Sequence, residues 1–172
     1  MSQFKVHTIE SAPTEAQPIL KAMKGSLGFV PNLMGVLSNA PVALSAYVSL
    51  VDLLDKSSLT PAERQIALLA VSTENSCSYC VAAHSVIAKN MVKVDAATVA
   101  AFRDGKSLPD AKQDALAKFV QSVVKNRGVI GGSEVEGFLS KGYTQQNVLE
   151  VLVAVSAKTL SNYVNHIAAT PL

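Results

Sequence analysis

The 172-residue chain is 49% hydrophobic and only 16% charged, carries a net charge of +2 and has no tryptophan. Its lysines and arginines are scattered, which argues against a nucleic-acid footprint. The most apolar window, Ala40 to Leu54, is interrupted by Ser45, Ser49 and Asp52 and is too short to span a bilayer.

Residues 1–12 read as an extended arm with no apolar signal core, in which His7 is solvated, so a cytoplasmic protein is expected. Pro13, Thr14 and Glu15 open a helix that should end near Lys24, at Gly25 and Gly28. Gly28-Phe29-Val30-Pro31-Asn32 is a turn leading to a short helix from near Pro31. The next helix should run from Pro41 to about Lys56, with Val42, Leu44, Tyr47, Val48, Val51 and Leu54 at helical spacing. Thr60, Pro61 and Glu63 form a strong helix start: a cap, a proline at the first helical position and a capping-box acid. An almost wholly apolar run, Ile66 to Val71, leads to Thr73 or Glu74, where Asn75-Ser76 breaks the helix and caps a new one from Cys77 to about Lys89.

A short amphipathic helix is expected from Asp95 to Arg103, ending at Gly105, and a longer one opens at Leu108-Pro109-Asp110 and stops near Asn126-Arg127-Gly128. Ser133-Glu134-Val135-Glu136 starts another, Gly142-Tyr143-Thr144 punctuates, and helix resumes from about Gln145 to Ala168. No segment alternates like a strand between hairpin turns. The fold class is all-α, a helical bundle in one domain over residues 1–172. With so few charges among so many apolar residues, its helices should be buried on more than one face, part of that surface between subunits of a homo-oligomer.

The chain also echoes itself. Thr60, Leu68, Ala70-Val71-Ser72 and Tyr79 recur in step as Thr144, Leu152, Ala154-Val155-Ser156 and Tyr163. One helical hairpin used twice is a possible reading, with Ser161 and Val164 standing where the first copy has its cysteines.

Both cysteines lie in one stretch, Glu74 to His84. Cys77, Cys80 and His84 are spaced three and four apart, so a helix would put them on one face. A thiol is nucleophilic only as the thiolate. His84 could accept the proton of Cys80, Glu74 could orient His84, and the N-terminus of a helix restarting at Ser76 would favour a thiolate at Cys77. The residues alone leave open which cysteine attacks. Cys-x-x-Cys lets either close a disulfide, and two cysteines in a reducing compartment suit redox chemistry or metal binding better than a permanent staple. A zinc site on Cys77, Cys80 and His84 would need a fourth ligand such as His166 or Glu74. Covalent haem attachment would need histidine where Val81 stands. Two inert core cysteines remain a further alternative, as does a packing role for Tyr79.

On Glu74-x-x-Cys77-x-x-Cys80-x-x-x-His84, with Leu59 to Arg64 upstream, the chain resembles the alkylhydroperoxidase D / carboxymuconolactone decarboxylase family, whose core motif falls on residues 59–90. Gly28 to Asn32 is similar to a signature of its peroxidase-related branch. The resemblance implies trimers or hexamers and peroxidase activity without haem, flavin or metal. It also implies a peroxidatic Cys80, a resolving Cys77, His84 as proton relay, and reduction by a dithiol protein, lipoyl-bearing or thioredoxin-like. The family's relay often includes a glutamate at the position of Gln65. Glutamine can orient a water or His84 but takes no proton at neutral pH, so either Glu74 substitutes or the relay is a weaker one. Family decarboxylases do not depend on such a cysteine pair. The expected activity is therefore thiol-dependent reduction of hydroperoxides, with a non-enzymatic redox sensor or a general dithiol–disulfide oxidoreductase as the alternative.

Overall fold

A computed structural model describes residues 4–172; the first three residues of the expected arm lie outside the described residues. The described chain is helical, with no strand: α1 (Gln17–Leu27), α2 (Asn32–Leu37), α3 (Pro41–Asp55), α4 (Pro61–Glu74), α5 (Ser78–Val86) continuing into a π-helical turn (Ile87–Met91), α6 (Ala96–Asp104), α7 (Ala111–Lys125), α8 (Gly132–Leu139) and α9 (Gln145–Ala168). The expected all-α bundle is what forms.

The boundaries follow local chemistry. Thr60 caps α4, its hydroxyl accepting from the Glu63 N–H while the Glu63 carboxylate accepts from the Thr60 N–H at 2.9 Å. Thr144 and Asn147 repeat that box at α9. Asp95 and Asp110 cap α6 and α7. The first helix differs from its expected bounds at both ends. Pro13 heads only a turn, accepting from Ala16 and Gln17 N–H. The helix then runs through Gly25, which helix tolerates at modest cost, and stops at Gly28, whose φ of 82° suits glycine.

Two apolar clusters fill the bundle. The larger surrounds α4: Ile66 to Val71 pack with Val99 and Phe102 of α6, Leu116, Phe119 and Val120 of α7, and Val151 and Ala154 of α9. The smaller joins Leu20 of α1, Leu33, Met34 and Leu37 of α2, and Leu44 and Tyr47 of α3, with Tyr79, Leu160 and Val164 against it. The N-terminal arm is strapped across α2. The His7 N–H donates to Gly35 at 3.1 Å, and a Cβ at Gly35 would stand 2.7 Å from the His7 carbonyl oxygen. Only glycine lets the two backbones approach so closely. Both α4 and α9 border α5, and the seam between the clusters is where the polar residues gather.

Candidate active site

The first half of the site is made by a helix that breaks. Helix α4 ends in a Schellman turn: the Cys77 N–H donates to Ser72 and the Ser76 N–H to Thr73, both at 2.9 Å. Ser76 occupies the left-handed position of that turn, φ 55°, where glycine is usual. The turn delivers Cys77 as the N-cap residue of α5, with Cys80 one turn in. Both are free thiols and each is 1% exposed.

The second half comes from α9. Lys158, Ser161, Asn162 and Asn165 recur at the spacing of one helix face and are all buried, a polar stripe turned inward. The Asn165 amide donates to Cys80 Sγ at 3.2 Å and reaches Cys77 Sγ at 3.9 Å. Asn162 Oδ1 accepts from Asn75 Nδ2 at 3.0 Å, which ties α9 to the helix break. Asn165 Oδ1 and Asn162 Nδ2 are buried without a protein partner, one acceptor and one donor left uncommitted.

Lys158 is 1% exposed, and no carboxylate pairs with it among the described residues. Its Nζ lies 3.0 Å from His84 Nε2. An ammonium has no lone pair, so Lys158 donates and Nε2 accepts. The His84 proton then sits on Nδ1 and is donated to Gln65 Oε1 at 3.0 Å. Desolvation first, and the Lys158 charge second, hold His84 well below the usual histidine range, so it is neutral.

A buried ammonium without a carboxylate needs another anion. Cys80 supplies it. The hydrogen bond from Cys77 is the largest influence on Cys80, and with Lys158 and Asn165 it outweighs burial and draws the thiol down to about 5. Cys77 is pushed the opposite way, first by that same hydrogen bond and then by burial, and stays a thiol. Lys158 itself is lowered by burial, partly offset by Cys80. Cys80 is therefore the thiol whose surroundings favour the thiolate, with Lys158 and Asn165 among them, and Cys77 is the thiol that donates to it.

The expected residues separate accordingly. Cys77, Cys80 and His84 converge, and Gln65 joins them through Nδ1 of His84. Glu74 does not: it is exposed at the end of α4 and no hydrogen bond links it to His84. The Schellman turn between them destroys the common helical face that the spacing suggested, and Gln65 is the orienting partner instead. His166 is exposed on the flank of the stripe, beside Asn162 and Asn165. Neither Glu74 nor His166 can complete a zinc site with the thiols, and no group of three or more His, Cys, Asp or Glu among the described residues is placed to hold a metal ion. No hydrogen bond joins His84 to either sulfur; its Nε2 is taken by Lys158 instead. Tyr79 packs on the smaller cluster and accepts from the Leu33 N–H at 3.3 Å.

The helical echo also resolves differently in its two parts. The first copy is a hairpin, α4 and α5, whereas the second is the unbroken 24-residue α9. Thr159 and Leu160 occupy the places of Asn75 and Ser76, and nothing there supplies a left-handed turn.

Solved structures share this fold over the whole chain. An alkylhydroperoxidase AhpD core, an uncharacterized peroxidase-related protein from Ralstonia eutropha JMP134, is 24% identical with a TM-score of 0.86, covering 99% of this chain and 91% of its own. An uncharacterized peroxidase-related protein from Silicibacter sp. TM1040 is 20% identical, TM-score 0.81, covering 98% and 92%. A cysteine-to-alanine variant of the debrominase Bmp8, in complex with 2,3,4-tribromopyrrole, is 18% identical, TM-score 0.80, covering 99% and 91%. No curated protein matches the chain in sequence. Residues 41–117, which hold α3 to α6 and both thiols, match the profile of the carboxymuconolactone decarboxylase family. That match lies inside a fold shared with an alkylhydroperoxidase AhpD core structure.

Proposed function

We propose that the protein is a thiol-dependent peroxidase, an oxidoreductase that reduces hydrogen peroxide or organic hydroperoxides in antioxidant defence. The observation that carries this is the asymmetry of the two thiols' surroundings: the Asn165 amide lies 3.2 Å from Cys80 Sγ and 3.9 Å from Cys77 Sγ, and the hydrogen bond between the thiols lowers Cys80 and raises Cys77. Nucleophile and resolving thiol are thereby distinguished by their surroundings, a choice that the Cys-x-x-Cys spacing leaves open. Cys80 attacks the terminal oxygen, the O–O bond breaks, and Cys80 becomes a sulfenic acid. Cys77 then attacks the Cys80 sulfur, giving the disulfide and water. A dithiol, on a lipoyl-bearing or thioredoxin-like protein, returns both cysteines to the reduced state by exchange.

Both sulfurs are buried, which suits small peroxides and requires local opening for a protein reductant. A homo-oligomer, trimer or hexamer, is part of the proposal. Leu149, Leu152, Tyr163 and Ile167 are exposed along α9, and Val42 and Leu53 along α3, the helix packed beside it. Such apolar surface is unusual on a monomer. No described helix is long and apolar enough to cross a membrane.

The test is peroxide consumption with a panel of dithiols. Cys80→Ser should abolish it, and Cys77→Ser should form one sulfenic acid per chain without turning over. Full activity in Cys80→Ser would overturn the assignment. Stoichiometric oxidation without turnover for every dithiol would favour a redox sensor.

A further inference from the structure

Thiolate attack on a hydroperoxide expels an alkoxide or hydroxide, each far too basic to leave near neutral pH without a proton. The residue expected to manage protons, His84, is poorly placed to supply one. It is neutral, its Nδ1 proton is committed to Gln65, and its Nε2 is an acceptor occupied by Lys158. Cys77 must keep its proton until the resolving step. Tyr47, pushed up to about 12 chiefly by burial, is a poor acid. Asn165 and Asn162 have no acidic proton. Lys158 is what remains, a buried amine on the α9 face that also brings Asn165 to Cys80, and its charge is among the influences that lower that thiol.

We propose that Lys158 is the catalytic acid of the site and gives up and regains a proton in each turn of the cycle. This rests on the peroxide reading above and adds the group that closes its proton balance. In the first step the Cys80 thiolate attacks the terminal oxygen of R–O–O–H. An S–O bond forms, the O–O bond takes the sulfur's electron pair and breaks, and Lys158 gives a proton to the departing alkoxide. The products are Cys80–S–OH, R–OH and a neutral amine at Lys158. In the second step that amine takes the Cys77 proton, the Cys77 thiolate forms the disulfide, and the hydroxide leaving Cys80 departs as water with the proton returned by Lys158. The oxidised site is then uncharged, an amine beside a disulfide. When a dithiol reduces the disulfide it delivers two electrons and two protons. One proton restores the Cys77 thiol, the other restores the ammonium, and Cys80 is a thiolate again.

The surroundings fit that duty. Burial lowers Lys158 and makes it a readier acid than a solvated lysine. His84 accepts one of its N–H bonds and is itself fixed by Gln65, so the amine is oriented in either charge state. Gln65 in place of a carboxylate matters here: an anion at that position would favour an imidazolium, which could no longer accept from Lys158.

The test separates acid catalysis from the simple electrostatic effect of a cation on a thiolate. Single-turnover oxidation of Cys80 is followed by mass spectrometry with two oxidants, cumene hydroperoxide, whose alkoxide needs a proton, and peracetic acid, whose acetate does not. Rates are divided by the thiolate fraction, read from thiolate absorbance. In Lys158→Met the cumene hydroperoxide rate should fall about 100-fold or more, the lower end for general acid catalysis, while the peracetic acid rate changes little. Lys158→Arg keeps the charge but gives up no proton near neutral pH, and should retain the thiolate yet show the same selective loss. Equal losses with both oxidants overturn the proposal. The wild-type chain gives an independent measurement if the variants do not fold: a normal solvent deuterium isotope effect with cumene hydroperoxide and none with peracetic acid. Absence of the effect with both oxidants likewise overturns it. A wild-type Cys80 inert to both oxidants would instead defeat the peroxidase reading itself.

Discussion

Two stretches of this chain begin alike and end in opposite chemistry. Residues 60–86 and 144–168 both open on a threonine cap with a reciprocal box and continue through a similar apolar run. The first then breaks at Asn75-Ser76 and presents two thiols at a helix start. The second continues and presents Lys158, Ser161, Asn162 and Asn165 to those thiols. In step with the echo, Glu74 and Lys158 occupy equivalent positions. The one is exposed because its helix ends there; the other is buried because its helix does not. The thiols are thus placed by interrupting a helix, and the polar face that meets them by leaving the matching helix whole.

A large effect is expected from cutting the link between the two stretches at Asn165. Its amide donates to Cys80, and a hydrogen bond to a charged group contributes about 1.5–3 kcal/mol. In Asn165→Ala the midpoint of Cys80 thiolate formation should therefore rise from about 5 in the intact chain by roughly one to two pH units. Thiolate absorbance and the pH profile of iodoacetamide alkylation both report it. The sign extends to stability. Folding favours the anion, so the contribution is fully present above the ordinary thiol value of 9.0 and is lost as pH falls through about 5. An unmoved midpoint in Asn165→Ala would mean that Cys77 and Lys158 suffice without α9's amide.

What the sequence disclosed, and what it withheld, divides along the same line. Cys77, Cys80 and His84 are legible because their chemistry is rare and their spacing short. The caps at Thr60 and Thr144 and the break at Asn75-Ser76 are legible because backbone groups impose them locally. Lys158 is not, since a lysine in a long helix ordinarily marks the solvated face. The available signal was its company: Lys158, Ser161, Asn162 and Asn165 share one face, while Leu149, Leu152, Tyr163 and Ile167 are exposed. That inverts the usual amphipathic pattern, and only the folded chain shows what the polar face meets. Glu74 failed as the orienter for a geometric reason. Helical spacing does not hold across the left-handed turn at Ser76, which separates Glu74 from His84.

A smaller effect is expected at the turn that makes the first stretch differ from the second. Ser76 holds φ 55°, a region that β-branched residues strongly avoid. Ser76→Val should destabilise the fold by about 1–2 kcal/mol in denaturant titration and slow Cys80 alkylation by displacing α5. Ser76→Gly should stay within about 0.5 kcal/mol of the parent, because relief at φ > 0 is opposed by the greater entropy of the unfolded chain. If valine were tolerated as well as glycine, the turn would not be what places the thiols.

The smallest effect is the one most diagnostic of which half of the echo does the chemistry. Glu74 and Gln65 are the two residues that sequence reasoning could pair with His84, and only Gln65 touches it, at 3.0 Å. Glu74→Gln should change peroxide turnover less than about twofold, as a surface substitution with no site contact should. Gln65→Leu, which leaves the His84 Nδ1 proton unpaired in a desolvated setting, should slow the step that involves Lys158 while leaving peracetic acid oxidation little affected. Reversal of that order would return Glu74 to the site and require α4 to extend past Asn75 in solution, so that the Schellman turn opens and the two halves of the echo become alike.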